Sequence, residues 1–326
     1  MIMYLALFLF SGFLLLWSAN WLVGSVIHIA RYLHWREFVI AFFVMATVSS
    51  LPNLFVGITS ALQGIPELSF GDIVGNSVVD LTLVAALATL LLGKKLEADS
   101  PLIQKSALFT LAIALLPLLL ILDKELSRGD GVALLLAFAF YSIWLFSKRK
   151  EYGATFNHPN TTQVQDHFSR FRVFLQSIGK VVIGILLLLG AAQGVVASSL
   201  FFANEFQIPL AMVGIIVLGL GSALPEIYFT IASARKGNSK IILGDLMGTV
   251  IVMATLVLGV VALIEPIRVP HFSSFAIARF FLLISAFFFF VFLRSGRKIS
   301  KREGIYLILL YIAFILAELF YNGRLT

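Results

Sequence analysis

One stretch of this chain occurs twice. Residues 44–84 align without a gap to residues 217–257, so the offset between the copies is constant. Chance aligns apolar residues in a hydrophobic chain, but it rarely aligns Pro, Gly, Ser and Asp in fixed register, so the match indicates a true internal repeat. The matched pairs are Ser49 with Ser222, Pro52 with Pro225, Ser60 with Ser233, Gly64 with Gly237, Asp72 with Asp245 and Gly75 with Gly248.

Composition then decides the class of protein. The chain is 60% hydrophobic and 13% charged, whereas soluble domains average about 25% charged residues. This indicates a polytopic membrane protein. The net charge of +7 does not indicate nucleic-acid binding, because the basic residues lie in short loops between apolar runs. The chain has no cysteine, which excludes disulfides and thiolate metal sites.

Ten apolar segments approach or exceed the about 20 residues that a membrane-spanning helix needs. The first is predicted to be a retained span, with a cleaved signal peptide as the weaker alternative. Five segments fall in each half, and an odd number inverts the second half relative to the first, as in many secondary transporters. We therefore predict an all-α integral membrane fold of two inverted five-helix repeats. The segments are 2–26, 37–62, 68–92, 106–122, 130–147, 175–202, 208–234, 241–264, 275–293 and 304–322.

The loop charges set the predicted organisation and topology. The first repeat covers residues 1–147, a cytoplasmic linker covers 148–174, and the second repeat covers 175–326. Connections on one side carry 18 Lys and Arg residues, against four on the other. The positive-inside rule places the basic side in the cytoplasm and both termini outside, in a multi-pass protein of the plasma or inner membrane.

Two carboxylates lie deepest in the predicted spans, Asp80 and Glu226. A charge near the bilayer centre costs about 3 kcal/mol or more, so such residues usually face a cavity and bind something. The structural alternative is a buried, hydrogen-bonded carboxyl that only holds helices together. No Lys or Arg lies at matching depth to pair with either residue. The pair therefore favours a cation site.

Hydroxyl groups and prolines surround these carboxylates in the sequence. Pro52 and Pro225 fall inside predicted helices, where each removes a backbone donor and frees carbonyl oxygens of the preceding turn. Ser49, Ser50 and Ser222 lie directly before them. Carbonyl, hydroxyl and carboxylate oxygens are the hard ligands that Ca²⁺ and Na⁺ prefer.

The third helix of each half carries a polar face. Asp72, Asn76 and Asp80 are spaced i, i+4, i+8 and share one side of a helix. The equivalent residues in the second half are Asp245, Thr249 and Met253. Because Asp72 and Asp245 lie two turns, about 12 Å, from the deep positions, we expect them to be entrance ligands. The alternative is that they only begin helices, where the helix dipole favours an acid. Four glycines, at 71, 75, 244 and 248, allow close helix approach.

At these residues the chain resembles the cation/Ca²⁺ exchanger superfamily, especially prokaryotic sodium/calcium exchangers. That family has ten helices, two inverted repeats, a G-[ST]-S-L-P-E motif and a G-N-x-x-G-[ST]-x-x-x-[ND] motif in each repeat. The resemblance covers most of the chain by architecture and both copies of the internal repeat by motif. It implies secondary transport, with the first and sixth helices sliding across the site to expose it to one side at a time.

The chain departs from the family pattern at two positions. The first Leu-Pro pair is followed by Asn53 instead of Glu, while the second keeps Glu226. The final position of the other motif is Asp80 in the first repeat and Met253 in the second. Each half therefore keeps one deep carboxylate. The predicted cation ligands are Asp80, Glu226, Asn53, Ser49, Ser50, Asn76, Ser222, Thr249, Asp72 and Asp245.

The sequence thus predicts a cation antiporter that is not an enzyme, most simply one that exchanges Na⁺ for Ca²⁺. A cation/proton exchanger of the same fold and a membrane protein that binds or senses cations without transport are the alternatives. No cofactor is expected beyond the transported ions. The expected partners are inorganic cations and the lipid bilayer, with no nucleic acid and no obligate protein partner.

Overall fold

The computed structural model describes residues 1–32, 45–91, 95–147, 167–235, 237, 239–269 and 275–322. These residues are nearly all helical. We number the helices in chain order, treating consecutive α, π and 3₁₀ segments as one helix. They are α1 (Ile2–Tyr32), α2 (Met45–Ser49 and Leu51–Leu62), α3 (Pro66–Leu91), α4 (Pro101–Asp123), α5 (Arg128–Ser147), α6 (His167–Glu205), α7 (Leu210–Arg235), α8 (Ser239–Ile264), α9 (Ala276–Gly296) and α10 (Lys301–Asn322).

Eight of the described helices, α3 to α10, are long and apolar enough to cross a membrane. In α1 and α2 the described apolar stretches are shorter, Ile2–Ser18 and Leu51–Leu62. The all-helical, multi-pass class is therefore confirmed, whereas the count of ten spans and the inversion of the second half stay predictions. Residues 33–44, which include the predicted start of the second span, lie outside the described residues.

Most of the predicted linker, residues 148–166, lies outside the described residues. Helix α6 begins at His167, and its candidate membrane span begins at Leu175. The division of the chain into two repeats and a linker stays a prediction.

The two repeated stretches form the centre of the bundle. In the most apolar part of α3, 83% of the residues are buried inside the protein, and in α8 the share is 78%. The corresponding share is 22% for α5 and for α10. A helix with most of its residues buried has neighbours on most sides, so α3 and α8 are inner helices and α5 and α10 are peripheral.

The internal repeat recurs in the backbone. A π-helical segment at Asp80–Val84 in α3 has its counterpart at the equivalent positions of α8, Met253–Val257. Gly64 and Gly237, another matched pair of the repeat, have left-handed φ values of 72° and 73°, a conformation that glycine adopts without a Cβ penalty. Similar local sequences thus produce the same local structure twice.

Each of the two prolines expected inside a helix follows closely on a helix interruption. Helix α2 breaks at Ser50, directly before Leu51 and Pro52, and α7 breaks at Ala223, directly before Leu224 and Pro225. Proline lacks the N–H that would bond to the carbonyl four residues earlier. Both break residues stay in the right-handed helical region, with φ of −81° at Ser50 and −79° at Ala223, so each break is a local distortion of its helix.

Glycines let α3 and α7 cross at backbone contact. A methyl group on Gly71 would lie 2.7 Å from the Ala211 carbonyl oxygen, and one on Gly214 would lie 2.5 Å from the Leu68 carbonyl oxygen. A methyl group on Gly75 would overlap the Ile215 carbonyl oxygen. The close approach predicted for residues 71 and 75 is confirmed, and the approach predicted for residues 244 and 248 stays a prediction.

Four two-residue strands join the ends of the two halves. They are β1 (Leu96–Glu97), β2 (Glu125–Leu126), β3 (Ile267–Arg268) and β4 (Lys298–Ile299). Strand β1 pairs antiparallel with β4, and β2 pairs antiparallel with β3. Each pair therefore contains one strand from each half. The sequence did not predict these strands, because two residues are too few to show a period.

Candidate cation site

Three polar side chains of α3 lie buried on one face of the helix. Asp72 is 1% exposed, and Asn76 and Asp80 are fully buried. The i, i+4, i+8 spacing predicted this shared face, which points toward α2, α7 and α8. The side chains on this face form hydrogen bonds with residues from both halves of the chain.

Asp72 accepts hydrogen bonds from two other helices. The Asn53 Nδ2 of α2 donates to Asp72 Oδ2 at 3.0 Å, and the Ser222 Oγ of α7 lies 2.8 Å from Asp72 Oδ1. Ser222 Oγ is also 3.1 Å from Asn76 Oδ1. A hydroxyl has one proton, so it donates to one acceptor at a time, and the carboxylate is the stronger acceptor.

Asn76 links the two halves at the deep positions. Its Nδ2 lies 3.2 Å from Asp80 Oδ2 and 3.1 Å from the Met253 Sδ of α8. The amide nitrogen has two protons, so it donates to both. Sequence reasoning treated Met253 only as the loss of an oxygen, whereas the structure makes its sulfur an acceptor. Its place as the repeat counterpart of Asp80 was the signal that could have located it there.

The orientation of the Asn53 amide follows from its neighbour. Its NH₂ group must face Asp72, since the reverse orientation would place a carbonyl oxygen against a carboxylate oxygen. The Asn53 Oδ1 therefore lies on the far side of the amide. It is buried and has no hydrogen-bond partner in the part of the chain that the structure describes.

Further buried oxygens also lack a hydrogen-bond partner. Within the described ranges, Asp80 Oδ1 and Thr249 Oγ1 have no hydrogen-bond partner, and neither carboxylate oxygen of Glu226 has one on another residue. Glu226 is 1% exposed and Thr249 is fully buried. A buried polar group without a partner costs about 1–3 kcal/mol, and such groups in a native protein call for a bound ion or water.

The charges of the site are negative and uncompensated by side chains. Glu226 interacts electrostatically with Asp80, Asp245 and Asp72, and Asp80 also interacts with Asp245. None of these four forms an ion pair with a Lys or Arg among the described residues. Like charges in a dry interior are costly unless they are paired or coordinate a cation.

No three His, Asp or Glu side chains of the described residues are close enough together to hold one metal ion. A cation between Asp80 and Glu226 would therefore need neutral oxygens to complete its shell. Asn53 Oδ1 and Thr249 Oγ1 are the unpartnered neutral oxygens on the predicted ligand residues.

The two first-half serines lie apart from the network. Ser49 Oγ donates to the Ala46 carbonyl oxygen at 3.2 Å, and Ser50 Oγ donates to the same oxygen at 2.8 Å. Such bonds to the preceding turn are common in helices. The structure does not bring either hydroxyl into hydrogen-bond contact with the carboxylates.

Both predicted entrance residues are buried in this structure. Asp72 is 1% exposed and Asp245 is 7% exposed. Asp72 accepts hydrogen bonds from Asn53 of α2 and Ser222 of α7. Their role as entrance ligands stays a prediction.

Comparison with known proteins gives a consistent result. A family model described as "Sodium/calcium exchanger protein" matches residues 3–147 and again residues 176–320. The starts of the two matches, at 3 and 176, are related by the same offset as the internal repeat. Together the matches cover most of the chain.

Two relatives match over nearly their whole length. The putative antiporter CaxA of Alkalimonas amylolytica is 26% identical over 303 residues, which is 92% of this chain and 94% of that protein. The sodium/calcium exchanger MaX1 of Methanosarcina acetivorans is 26% identical over 335 residues, which covers 93% of this chain and 95% of that protein.

A solved structure shares the fold. The sodium-calcium exchanger NCX_Mj, soaked with Na⁺ and Sr²⁺, matches with a TM-score of 0.65 and 24% identity. The match covers 97% of this chain and 99% of that one. At this identity the likeness speaks for the fold alone.

Proposed function

Since the chain belongs to the sodium/calcium exchanger protein family, we propose that it is a secondary active cation antiporter that exchanges Na⁺ for Ca²⁺ by alternating access. Members of the family are exchangers, which are transporters and not enzymes. One observation carries the proposal: unpartnered, buried oxygens gather on Asp80, Glu226, Asn53 and Thr249, without a basic side chain paired to them in the described structure.

In this proposal the cation binds between Asp80 of the first half and Glu226 of the second. Their two formal charges balance one Ca²⁺ or two Na⁺. Ca²⁺ takes about six to eight oxygen ligands, so neutral oxygens must contribute. Asn53 Oδ1 and Thr249 Oγ1 are proposed first, because both are buried and unpartnered. Oxygens freed at the interruptions of α2 and α7, with those of Ser49, Ser50 and Ser222, complete the proposed set.

Asp72 has a different role in this proposal. Its carboxylate takes the NH₂ of Asn53 and the hydroxyl proton of Ser222, which leaves the Asn53 carbonyl oxygen and the Ser222 lone pairs for the cation. Asn76 does the same for Asp80, holding one carboxylate oxygen while the other stays unpartnered. Asp72 and Asn76 are thus positioning residues, comparable to the outer partners that orient ligands at metal sites.

Met253 favours a second candidate function, cation/proton exchange. A thioether is a soft ligand and a poor substitute for an oxygen around Na⁺, and Met253 Sδ already accepts a bond from Asn76. Loss of an oxygen at this position weakens Na⁺ coordination and leaves protonation of a carboxylate as the means of exchange.

The experiment is ⁴⁵Ca²⁺ uptake into proteoliposomes that contain the purified protein. We expect uptake when the vesicles are loaded with Na⁺ and diluted into choline buffer at equal pH. Uptake driven only by a pH gradient would select the proton-coupled alternative. Calcium binding without uptake under either gradient would identify a non-transporting binding protein.

We also propose ten membrane-spanning helices, an inverted second half and both termini outside the plasma or inner membrane. Because the chain has no cysteine, single cysteines report topology without background. Thr161→Cys in the linker should resist an impermeant maleimide in intact cells, and Thr326→Cys should react. Labelling of the linker together with protection of the C-terminus would refute this topology.

A further inference from the structure

An apolar groove runs between α9 and α10 on the outside of the bundle. It has a volume of about 440 Å³ and is lined by Phe288, Phe292, Tyr306, Leu307 and Leu310. This volume lies within the about 300–1,000 Å³ typical of ligand pockets. Its walls offer nearly no polar surface, which suits a hydrocarbon chain.

Two basic side chains lie at one end of this groove. Lys298 extends along Gly296, since a methyl group on Gly296 would lie 3.7 Å from Lys298 Cε. Gly296 is one turn beyond Phe292, on the groove face of α9. Arg302 is one turn before Tyr306, on the groove face of α10. Both basic residues are exposed.

These basic groups are available to a ligand. Within the residues that the structure describes, neither Lys298 nor Arg302 forms an ion pair. The nearest acid in the sequence, Glu303, instead accepts a hydrogen bond from the Ser300 backbone N–H at 2.6 Å. Glu97 is opposite Lys298 in the β1–β4 pair without forming an ion pair. Arg297 and Lys301 add two further exposed charges at this end.

We infer that this groove binds an anionic phospholipid, with an acyl chain against the two phenylalanines and the phosphate between Lys298 and Arg302. The charge complementarity selects this occupant: a hydrocarbon slot that ends at uncompensated basic groups matches the two parts of such a lipid. Lys and Arg at the end of a spanning helix lie at the depth of the lipid headgroups. This inference is independent of which ions the protein exchanges.

The other half of the chain shows that the fold does not require this site. At the equivalent positions of the first half, Glu125 and Gly129 replace Lys298 and Arg302, and Ala133 replaces Tyr306. The helices around these positions repeat, including the cap that Asp130 provides for the Ser127 N–H at 2.8 Å. Arg297 and Lys301 do have basic counterparts, Lys124 and Arg128, so only the pair Lys298 and Arg302 distinguishes the α9–α10 side.

The groove is connected to the ion site through α10. This helix packs closely on α3, where a methyl group on Gly304 would overlap the Thr89 hydroxyl. Thr89 lies on the same helix as Asp80. A lipid in the groove would thus contact α10, a helix that packs against the helix that carries Asp80.

Native mass spectrometry of the purified protein, titrated with palmitoyl-oleoyl phosphatidylglycerol or phosphatidylcholine, tests the inference. We expect one phosphatidylglycerol to be retained at collision energies that remove phosphatidylcholine. Lys298→Gln/Arg302→Gln should weaken its retention by about thirtyfold, from about fivefold for each charge near a membrane surface. Lys180→Gln/Arg235→Gln, which removes equal charge from α6 and α7, should leave it within twofold.

A second variant keeps the test decisive if the basic pair also matters for folding. Leu310→Trp fills the groove without changing charge, and it should reduce phosphatidylglycerol retention while leaving the charge state of the protein unchanged. Equal retention of the two lipids by the parent protein would overturn the inference. The inference would also be overturned if both variants retained phosphatidylglycerol as well as the parent protein does.

Discussion

Asp80→Asn and Glu226→Gln are each expected to reduce Ca²⁺ transport at least a hundredfold while the protein still folds and inserts. Both carboxylates are buried, carry unpartnered oxygens and lack a basic partner among the described residues. Removing one member of a buried charge pairing costs about 3–5 kcal/mol, which is a loss of about a hundredfold or more in binding. One remaining charge cannot offset the dehydration of a divalent cation.

The measurement is Ca²⁺ binding by calorimetry, together with proteoliposome uptake. Ser77→Ala is the matched control, since Ser77 is equally buried on α3 but has no bond to the network, and it should bind Ca²⁺ as the parent does. Asn53→Glu should restore part of the binding to Asp80→Asn, because it returns a carboxylate to the site from α2. Parent-level Ca²⁺ transport by Glu226→Gln would show that the site lies elsewhere.

The second large effect concerns Asp72. We expect Asp72→Asn to weaken Ca²⁺ binding by about 10- to 100-fold, the range seen when an outer partner of a metal ligand is removed. An amide at position 72 no longer dictates which end of the Asn53 amide faces the cation. Half of the Asn53 orientations would then present NH₂ protons to a positive ion. Ser222 would lose the acceptor that lies 2.8 Å away.

Exchanging the two side chains separates positioning from simple charge. Asn53→Asp/Asp72→Asn restores one amide and one carboxylate, and the oxygen-only Asp at position 53 needs no orientation, so Ca²⁺ binding should return to within a fewfold of the parent. Asp72→Glu keeps the charge but moves it by one methylene, and it should weaken binding. If Asp72→Glu bound Ca²⁺ as the parent does, Asp72 would contribute only its negative charge. If Asn53→Asp/Asp72→Asn failed to bind Ca²⁺, Asp72 would be a direct ligand of the ion. Isothermal calorimetry distinguishes these results.

The sequence predicted the inner helices well because its signals there are local. Proline at positions 52 and 225 predicted the interruptions, and the spacing from Asp72 to Asp80 predicted that the polar side chains share one face of α3. The constant offset between the copies indicated an internal repeat, and the two copies share a π-helical segment at equivalent positions. The clustering of acids on these helices likewise pointed to the group that the structure brings together.

The remaining features depend on which helices meet, and periodicity does not report this. The bond from Asn53 to Asp72 requires α2 to lie against α3, and the bond from Ser222 to Asp72 joins residues 150 positions apart. The Met253 sulfur is an acceptor only because α8 brings it to Asn76. The same holds for Asp72, whose burial comes from its neighbours and not from its place on α3.

Each pair of short strands joins one strand from the first half of the chain to one from the second half. This has a consequence for the order in which contacts can form during synthesis on the ribosome. Glu97 of β1 pairs with Lys298 of β4, so the first strand is synthesised long before its partner exists. The same order holds for Asp72, which is synthesised before the Ser222 hydroxyl that donates to it. Contacts between residues so far apart in sequence slow folding in general. The proposed ligands come from both halves, so the proposed cation site can form only after the second copy of the repeat has been synthesised.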